Sequence, residues 1–255
     1  MENENIKQIY NKLVSGIKDY FNKYNIKKAV IGLSGGIDSS VSAKLVMDAI
    51  GQENVYGLIM PLKGLSSEEH INDAVELCKL IGIKYSIIDI KHYLVEFEKV
   101  EWKQNKIAEM NTASRIRAVI LYNYANTHSA LVIGTSNKTE ILLGYFTKHG
   151  DGAVDIEVIG ELFKTEEREL AKFLEIPEKI INKTPTAELY HGQTDEEELG
   201  ISYDELDKIL KLYVGGNSML NIIKKGFEKE KVEKIIKRIE SNEHKRNMPP
   251  VVRIS

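Results

Sequence analysis

Apolar residues in the first 135 positions alternate between short unbroken runs and helical spacing. The unbroken runs predict strands over Ala29–Leu33, Val55–Met60, Lys84–Ile88 and Ala130–Gly134. Between them, apolar positions three and four apart predict helices near Ser39–Ile50, Glu68–Ile81 and Asn111–Asn126. The first of these helices would turn Val41, Leu45, Val46, Ala49 and Ile50 inward. An N-terminal helix, about Asn5–Tyr24, aligns Ile6, Ile9, Leu13, Ile17 and Tyr20 on one face. A final helix near Lys229–Ile239 aligns Val232, Ile235, Ile236 and Ile239. Strands alternating with helices imply right-handed β-α-β crossovers. The fold expected is therefore α/β: a Rossmann-like, doubly wound, mostly parallel sheet flanked by helices, with a helical C-terminal part. Ligands of such folds bind beyond the carboxyl ends of the strands. No repeat, low-complexity tract or linker divides the chain, so residues 1–255 read as a single domain.

Composition narrows the partners. The net charge of −3 leaves no basic field for non-specific nucleic-acid binding. No run approaches 18 apolar residues, and Met1-Glu-Asn-Glu-Asn5 does not read as a signal peptide, so the expectation is a cytoplasmic protein with no membrane span. Cys78, the single cysteine, fits a reducing compartment. Its place in the helical run Ala74–Ile81 makes it a small core residue, and enzymes that need a cysteine pair are excluded.

The chemistry concentrates at the end of the first strand, in Ala29-Val-Ile-Gly-Leu-Ser-Gly-Gly-Ile-Asp-Ser-Ser40. Successive glycines let several backbone N–H groups point into one concavity. Ser34, Ser39 and Ser40 add hydroxyls, and the following helix adds its positive end. This is an anion cradle, best suited to phosphate. It is not a Walker A loop, because no Gly-x-x-x-x-Gly-Lys-Ser/Thr occurs in the chain. Asp38 makes sense beside phosphate if Mg²⁺ lies between them. A second polar stretch, Gly134–Asp155, begins where a strand ends and carries Glu140, Lys148, Asp151 and Asp155, with glycines at 144, 150 and 152 that would free the backbone to approach a ligand. Gly150-Asp-Gly-Ala-Val-Asp155 lacks the third glycine of a dinucleotide fingerprint and bridges no strand to a helix.

Ser34-Gly-Gly-Ile-Asp-Ser39 resembles the pyrophosphate loop of the ATP pyrophosphatases, which cleave ATP between its α- and β-phosphates to activate a carbonyl or carboxylate. Together with Gly134–Asp155, Asn111-Thr-Ala-Ser-Arg-Ile-Arg117, Lys183-Thr-Pro-Thr-Ala-Glu-Leu189, Glu198-Leu-Gly-Ile-Ser-Tyr203 and His244-Lys-Arg246, it is similar to the ammonia-dependent NAD⁺ synthetases over nearly the whole chain. The resemblance implies that Gly32, Leu33, Ser34, Gly35, Gly36, Ile37, Asp38 and Ser39 cradle ATP, with Asp38 and Glu140 as Mg²⁺ ligands. Thr135, Lys164 and Thr186 match further ATP-contacting positions. Arg115, Lys148, Asp155, His244 and Lys245 match positions that hold deamido-NAD (nicotinic acid adenine dinucleotide). Tyr190–Glu198 resembles a lid, and the family implies a homodimer.

Each assignment has a plainer reading. Arg115 and Arg117 also read as solvated cations on a helix, Lys164 as the flank of a helix start, and His244-Lys-Arg246 as a basic tail. Tyr20, Phe21 and Tyr24 read as core or interface residues. Met60-Pro-Leu-Lys-Gly-Leu-Ser-Ser67 departs from the common family pattern, which leaves Lys63 and Ser66 without an assigned role.

The reaction implied is a two-step amidation through an acyl-adenylate, with release of pyrophosphate and AMP and with ammonia as nitrogen donor. No covalent nucleophile is expected; Asp38, Glu140 and Lys164 act by charge. Another amidating ATP pyrophosphatase, of GMP-synthetase type, and a non-catalytic nucleotide sensor on the same fold are the competing readings. The Thr135–Asp155 segment and the His244-Lys-Arg246 tail disfavour the first, and retention of both Asp38 and Glu140 the second.

Overall fold

The computed structural model describes residues 3–185 and 195–254. Five strands, β1 (Lys28–Gly32), β2 (Val55–Ile59), β3 (Lys84–Ile87), β4 (Ala130–Gly134) and β5 (Ile156–Glu157), form one sheet in the order β3-β2-β1-β4-β5. Every pairing is parallel, in registers such as Ala29↔Val55 and Ala29↔Leu131. The order reverses at β1, so the crevice between the carboxyl ends of β1 and β4 is the expected ligand position.

Helices α1 (Asn3–Lys23), α2 (Ile37–Ile50) and α3 (Glu68–Ile81) belong to the first half of the chain, with α4 (Lys91–Val95) and α5 (Lys106–His128) leading into β4. After β4 come α6 (Lys138–Leu143), α7 (Lys164–Phe173), α8 (Glu178–Ile181), α9 (Asp195–Leu199), α10 (Tyr203–Val214), α11 (Met219–Lys224), α12 (Lys229–Ser241) and α13 (Glu243–Arg246).

The period-two alternation of a strand sorts β1 between two cores. Ala29 and Ile31 join Phe21, Val41, Leu45, Leu77 and Leu170 on the face covered by α1, α2, α3 and α7. Val30 joins Leu58, Val132, Ala113 and Ile116 on the face covered by α5. With both faces covered, the central strands are apolar apart from Lys28 at the start of β1, as parallel strands tend to be. Each such Leu, Ile or Val contributes about 1.5–3 kcal/mol by leaving water. Of the inner face expected for α2, Val41, Leu45 and Val46 are fully buried, while Ala49 and Ile50 sit at its margin. A third core, with Phe163, Tyr203, Leu206, Ile209, Val232 and Ile236, unites α10, α11 and α12. Cys78 is fully buried, and burial pushes its thiol up to about 12, which makes it inert core.

Two elements differ from the pattern-based reading. Helix α5 starts at Lys106 rather than Asn111, because the Asn105 side chain accepts the Ala108 amide at 2.9 Å and caps the helix earlier than its apolar spacing begins. Strand β5 has two residues, too few to show alternation. Among the described residues, no helix is long and apolar enough to cross a membrane.

Strand β5 carries an unusual carboxyl. Glu157 accepts the Ser136 amide at 3.1 Å, and a Cβ at Gly134 would lie 2.2 Å from the same oxygen, so a side chain there would displace the Glu157 carboxyl. Burial pushes the Glu157 carboxyl up to about 7; the Ser136 amide opposes this and Asp151 adds repulsion. Below pH 4.5 Glu157 is protonated in both states and contributes nothing to the pH dependence. As pH rises toward 7, the unfolded chain ionises first and the folded state loses relative stability. Glu157→Gln, which keeps the acceptor, is therefore expected to leave the melting temperature unchanged at pH 4.5. At pH 8 it should raise it by about 3 °C, the shift produced by roughly 1 kcal/mol in a chain of this size. Thermal unfolding at both pH values checks this; an equal effect at the two would refute it.

Candidate active site

The turn from β1 into α2 is built as the sequence predicts. Leu33 continues the ladder to Leu58 at 2.9 Å, and the chain then tightens through Ser34, Gly35 and Gly36. Gly35 has φ +79°, and a Cβ there would meet the His70 carbonyl of α3 at 2.2 Å. Ser34 Oγ accepts the Gly36 amide and lies 3.2 Å from Ser39 Oγ. Gly36 caps α2 without any side-chain hydrogen bond, which leaves the positive end of the helix to the cradle. Ser40 plays a different part from the one expected. It is fully buried and donates back to the Gly36 carbonyl at 2.8 Å, so its hydroxyl serves the helix.

Asp38, on the first turn of α2, meets α6 and α7. Lys164 Nζ lies 2.6 Å from both Asp38 carboxylate oxygens and 3.3 Å from Glu167. Asn137 donates its side-chain amide to Asp38 at 2.8 Å. Lys164 is 1% exposed whereas the Asp38 side chain keeps 25%, so Asp38 reaches the cavity and Lys164 stands behind it. What places Lys164 there is Asp207 of α10. This buried carboxylate accepts the Thr139 hydroxyl at 2.6 Å and the Thr165 amide at 2.8 Å, and Thr139 accepts the Lys164 amide at 3.1 Å. Glu140 is fixed by a reciprocal cap at the start of α6: it accepts the Asn137 amide at 3.2 Å while Asn137 accepts the Glu140 amide at 3.0 Å.

The electrostatics of this corner are lopsided. Burial alone would push Asp38 up, but Lys164 and the Asn137 amide hold it below the usual carboxylate range. Glu140 is pushed well up by burial, then by Asp38, and Lys164 only partly offsets this. Glu167, fully buried with Oε1 unpartnered, is pushed up by burial and Asp38. Asp195 is raised by burial against the Tyr203 hydroxyl that it accepts at 3.1 Å. Lys164 stays protonated, because these carboxylates outweigh its desolvation.

A cavity of 530 Å³ opens over the carboxyl ends of β1, β2 and β4. Its walls include Gly32, Leu33, Ser34, Gly36, Ile37, Asp38, Ser39, Thr135, Glu140 and Lys245, so the structure brings these predicted residues together. Four others lie away from it. Arg115 is exposed and donates to the Lys148 carbonyl at 3.3 Å, and Lys148 donates to the His244 carbonyl at 2.5 Å, a surface chain joining α5, the 144–150 turn and α13. Asp155 accepts the Val132 amide at 2.7 Å and the Tyr122 hydroxyl at 3.2 Å, tying β4 to α5. Lys245 holds the Gly144 and Phe146 carbonyls at 2.7 and 3.0 Å; burial and Arg238 lower its pKa. Thr186 and Tyr190–Thr194 lie outside the described residues. Asp195, the next residue, is buried between the Tyr145 and Tyr203 hydroxyls.

Some expectations change in detail. Gly150 lines the cavity and also packs where a Cβ would lie 2.2 Å from Ser114 Oγ, so its smallness serves internal packing as well. Arg117 is more than a solvated cation: it donates to the Met60 carbonyl at 2.9 Å and lines the cavity. Ser66 accepts the Leu62 amide and lines the cavity as well. Of the tyrosine group, Phe21 is core, Tyr20 donates to the Asp155 carbonyl at 2.7 Å, and Tyr24 is exposed. Asn137 and Glu167 carried no sequence signal, since their contacts with Asp38 join residues roughly a hundred or more positions apart.

Comparison with known proteins identifies the family. Residues 9–249 match the family model described as NAD synthase. A curated NH(3)-dependent NAD(+) synthetase of Methanocaldococcus jannaschii is 45% identical over 256 residues, covering 98% of each chain. Among solved structures, an NMN synthetase from Francisella tularensis superposes with a TM-score of 0.87 at 33% identity, covering 97% of this chain and 98% of that one. An NH3-dependent NAD synthetase from Campylobacter jejuni, in complex with nitrate, gives 0.83 at 32% identity, covering 97% and 99%. A parallel sheet with a glycine-serine cradle at its switch point and a match over nearly its full length have one reading: this chain belongs to the NAD synthase family.

Proposed function

We propose that the protein is a C–N ligase that amidates deamido-NAD to NAD⁺ with ATP and ammonia, releasing AMP and pyrophosphate. The observation that carries this reading is the meeting, in one cavity, of the Ser34–Ser39 cradle, which includes Asp38, with the Glu140 carboxyl. The names of its relatives support NAD⁺ as product and ammonia as nitrogen donor.

In the first step the nicotinate carboxylate attacks the α-phosphate and pyrophosphate leaves; in the second, ammonia attacks the activated carbonyl and AMP leaves. The loop amides and the α2 N-terminus stabilise phosphate charge without reorganising. Lys164 acts through Asp38, holding it ionised and aimed into the cavity. The cavity excludes water from an adenylate that would otherwise hydrolyse.

The donor set fits Mg²⁺. Asp38 and Glu140 offer carboxylate oxygens from one wall, and the surrounding negative charge exceeds what Lys164 neutralises. Among the described residues no cluster of three or more ligating side chains exists, so the ion would complete its shell with phosphate and water. Bound there, Mg²⁺ supplies neutralisation of charge on the leaving pyrophosphate.

Arg115, Lys148, Asp155, His244 and Lys245 are proposed for the dinucleotide, Thr135 and Thr186 for ATP. A single functional unit, a homodimer and a cytoplasmic setting complete the reading; exposed Trp102, Ile107 and Val119 support association of two copies. The likeness to an NMN synthetase favours a second reading, in which the mononucleotide that yields NMN is the substrate. Turnover of deamido-NAD and of nicotinate mononucleotide, compared as kcat/KM, decides between them; the first reading predicts preference for the dinucleotide.

Glu140→Gln is expected to keep the fold, since Gln mimics the protonated acid that burial favours, and to cut turnover about 100-fold. Release of AMP at saturating Mg²⁺ checks it, and near-normal rates would remove Glu140 from the reaction.

The nitrogen donor makes a separate prediction. The nucleophile is NH₃, and at neutral pH an ammonium-type cation is almost wholly protonated. At sub-saturating ammonium the rate should climb roughly tenfold per unit between about pH 7 and 8.5. Equal rates with glutamine as sole nitrogen source would contradict free ammonia as the substrate.

A further inference from the structure

Lys183 follows α8 and lines the cavity, yet its ammonium is already engaged on both sides. It pairs with Asp73 of α3, a carboxylate only 2% exposed, and donates to the Gly35 carbonyl at 3.2 Å. Asp73 also takes Lys179 at 2.6 Å. Burial would push Asp73 up, but the two lysines hold it below the usual range, so it remains an anion.

The carbonyl that Lys183 holds belongs to the peptide unit of the cradle that side chains restrain least. The unit between Gly35 and Gly36 has no Cβ at either end, and Gly35 already occupies positive φ. A rotation of that unit would turn a carbonyl oxygen toward the phosphates in place of an N–H. Two contacts oppose it: Ser34 Oγ accepts the Gly36 amide at 3.2 Å, and Lys183 accepts nothing but donates to the Gly35 oxygen from the opposite side. Asp73, itself anchored in α3, fixes the lysine that does so.

We propose that Lys183 is a positioning residue of the nucleotide site, pinning the Gly35–Gly36 peptide so that the cradle presents N–H groups, with Asp73 holding Lys183 in place. The inference rests on the ATP-binding reading above. It differs from a direct phosphate contact, because the lysine acts through the loop.

The test combines calorimetric titration with hydrogen exchange at the Gly36 amide in the ligand-free protein. Lys183→Met is expected to weaken ATP·Mg²⁺ binding about tenfold, the scale of a lost hydrogen bond to a charged group, and to leave deamido-NAD affinity unchanged. Asp73→Asn should weaken ATP in the same direction, and the double variant no more than Lys183→Met alone. Lys183→Arg should recover part of the loss. Gly36 exchange in the ligand-free protein should speed up in Lys183→Met. Tighter ATP binding by Asp73→Asn would overturn the proposal, making Lys183 a direct phosphate ligand restrained by Asp73. Unchanged ATP affinity and unchanged Gly36 exchange in Lys183→Met would overturn it as well. Failure of the wild-type protein to bind ATP, with Gly36 exchange still dependent on Lys183, would refute the nucleotide reading and leave the clamp standing.

Discussion

Lys164 is 1% exposed, and its ammonium lies 2.6 Å from both oxygens of Asp38 and 3.3 Å from Glu167. A buried charge is tolerated only when it is paired, and removal of one partner typically costs about 3–5 kcal/mol. That constraint ties α2, which carries Asp38, to α7, which carries Lys164, and through Asn137 to the start of α6. Asp207 and Thr139 extend the tie to α10. The phosphate cradle, the Glu140 wall and the C-terminal helices thus share one ion pair.

The same pair explains why the site is poised for a cation. One lysine serves Asp38, Glu140, Glu167 and Asp195, so ionising all four leaves uncompensated negative charge in a low dielectric. The protein distributes that strain unevenly. Asp38 is held as an anion at the cavity wall, while Glu140 and Glu167 lean toward the protonated form. An incoming hard cation with its phosphates would relieve the imbalance from the open side.

Local pattern carried much of this into the sequence. Helix α3 runs over Glu68–Ile81 as its apolar spacing and the cap at Ser67 dictate, and β4 coincides with the run Ala130–Gly134. The cradle was legible because glycines and serines at fixed offsets have few other uses between a strand and a helix. Long-range pairing was not. Asn137 bonds to Asp38 across 99 positions, and nothing in either segment announces the other. Lys164 reads locally as a helix flank, and only the tertiary contacts of α7, with α2 and through Thr139 and Asp207 with α10, turn it inward. Arg115, Lys148 and His244 lie far apart in the chain, yet in the fold Arg115 donates to the Lys148 carbonyl and Lys148 to the His244 carbonyl.

The central claim, that one buried ammonium stabilises the whole carboxylate cluster, is tested most directly by urea unfolding of Lys164→Met at pH 8 and pH 5. Stripped of its cation, the cluster should cost about 3–5 kcal/mol at pH 8. Most of that loss should be recovered at pH 5, where the buried carboxylates take up protons and the repulsion disappears. A loss below about 1 kcal/mol, equal at the two pH values, would contradict the account.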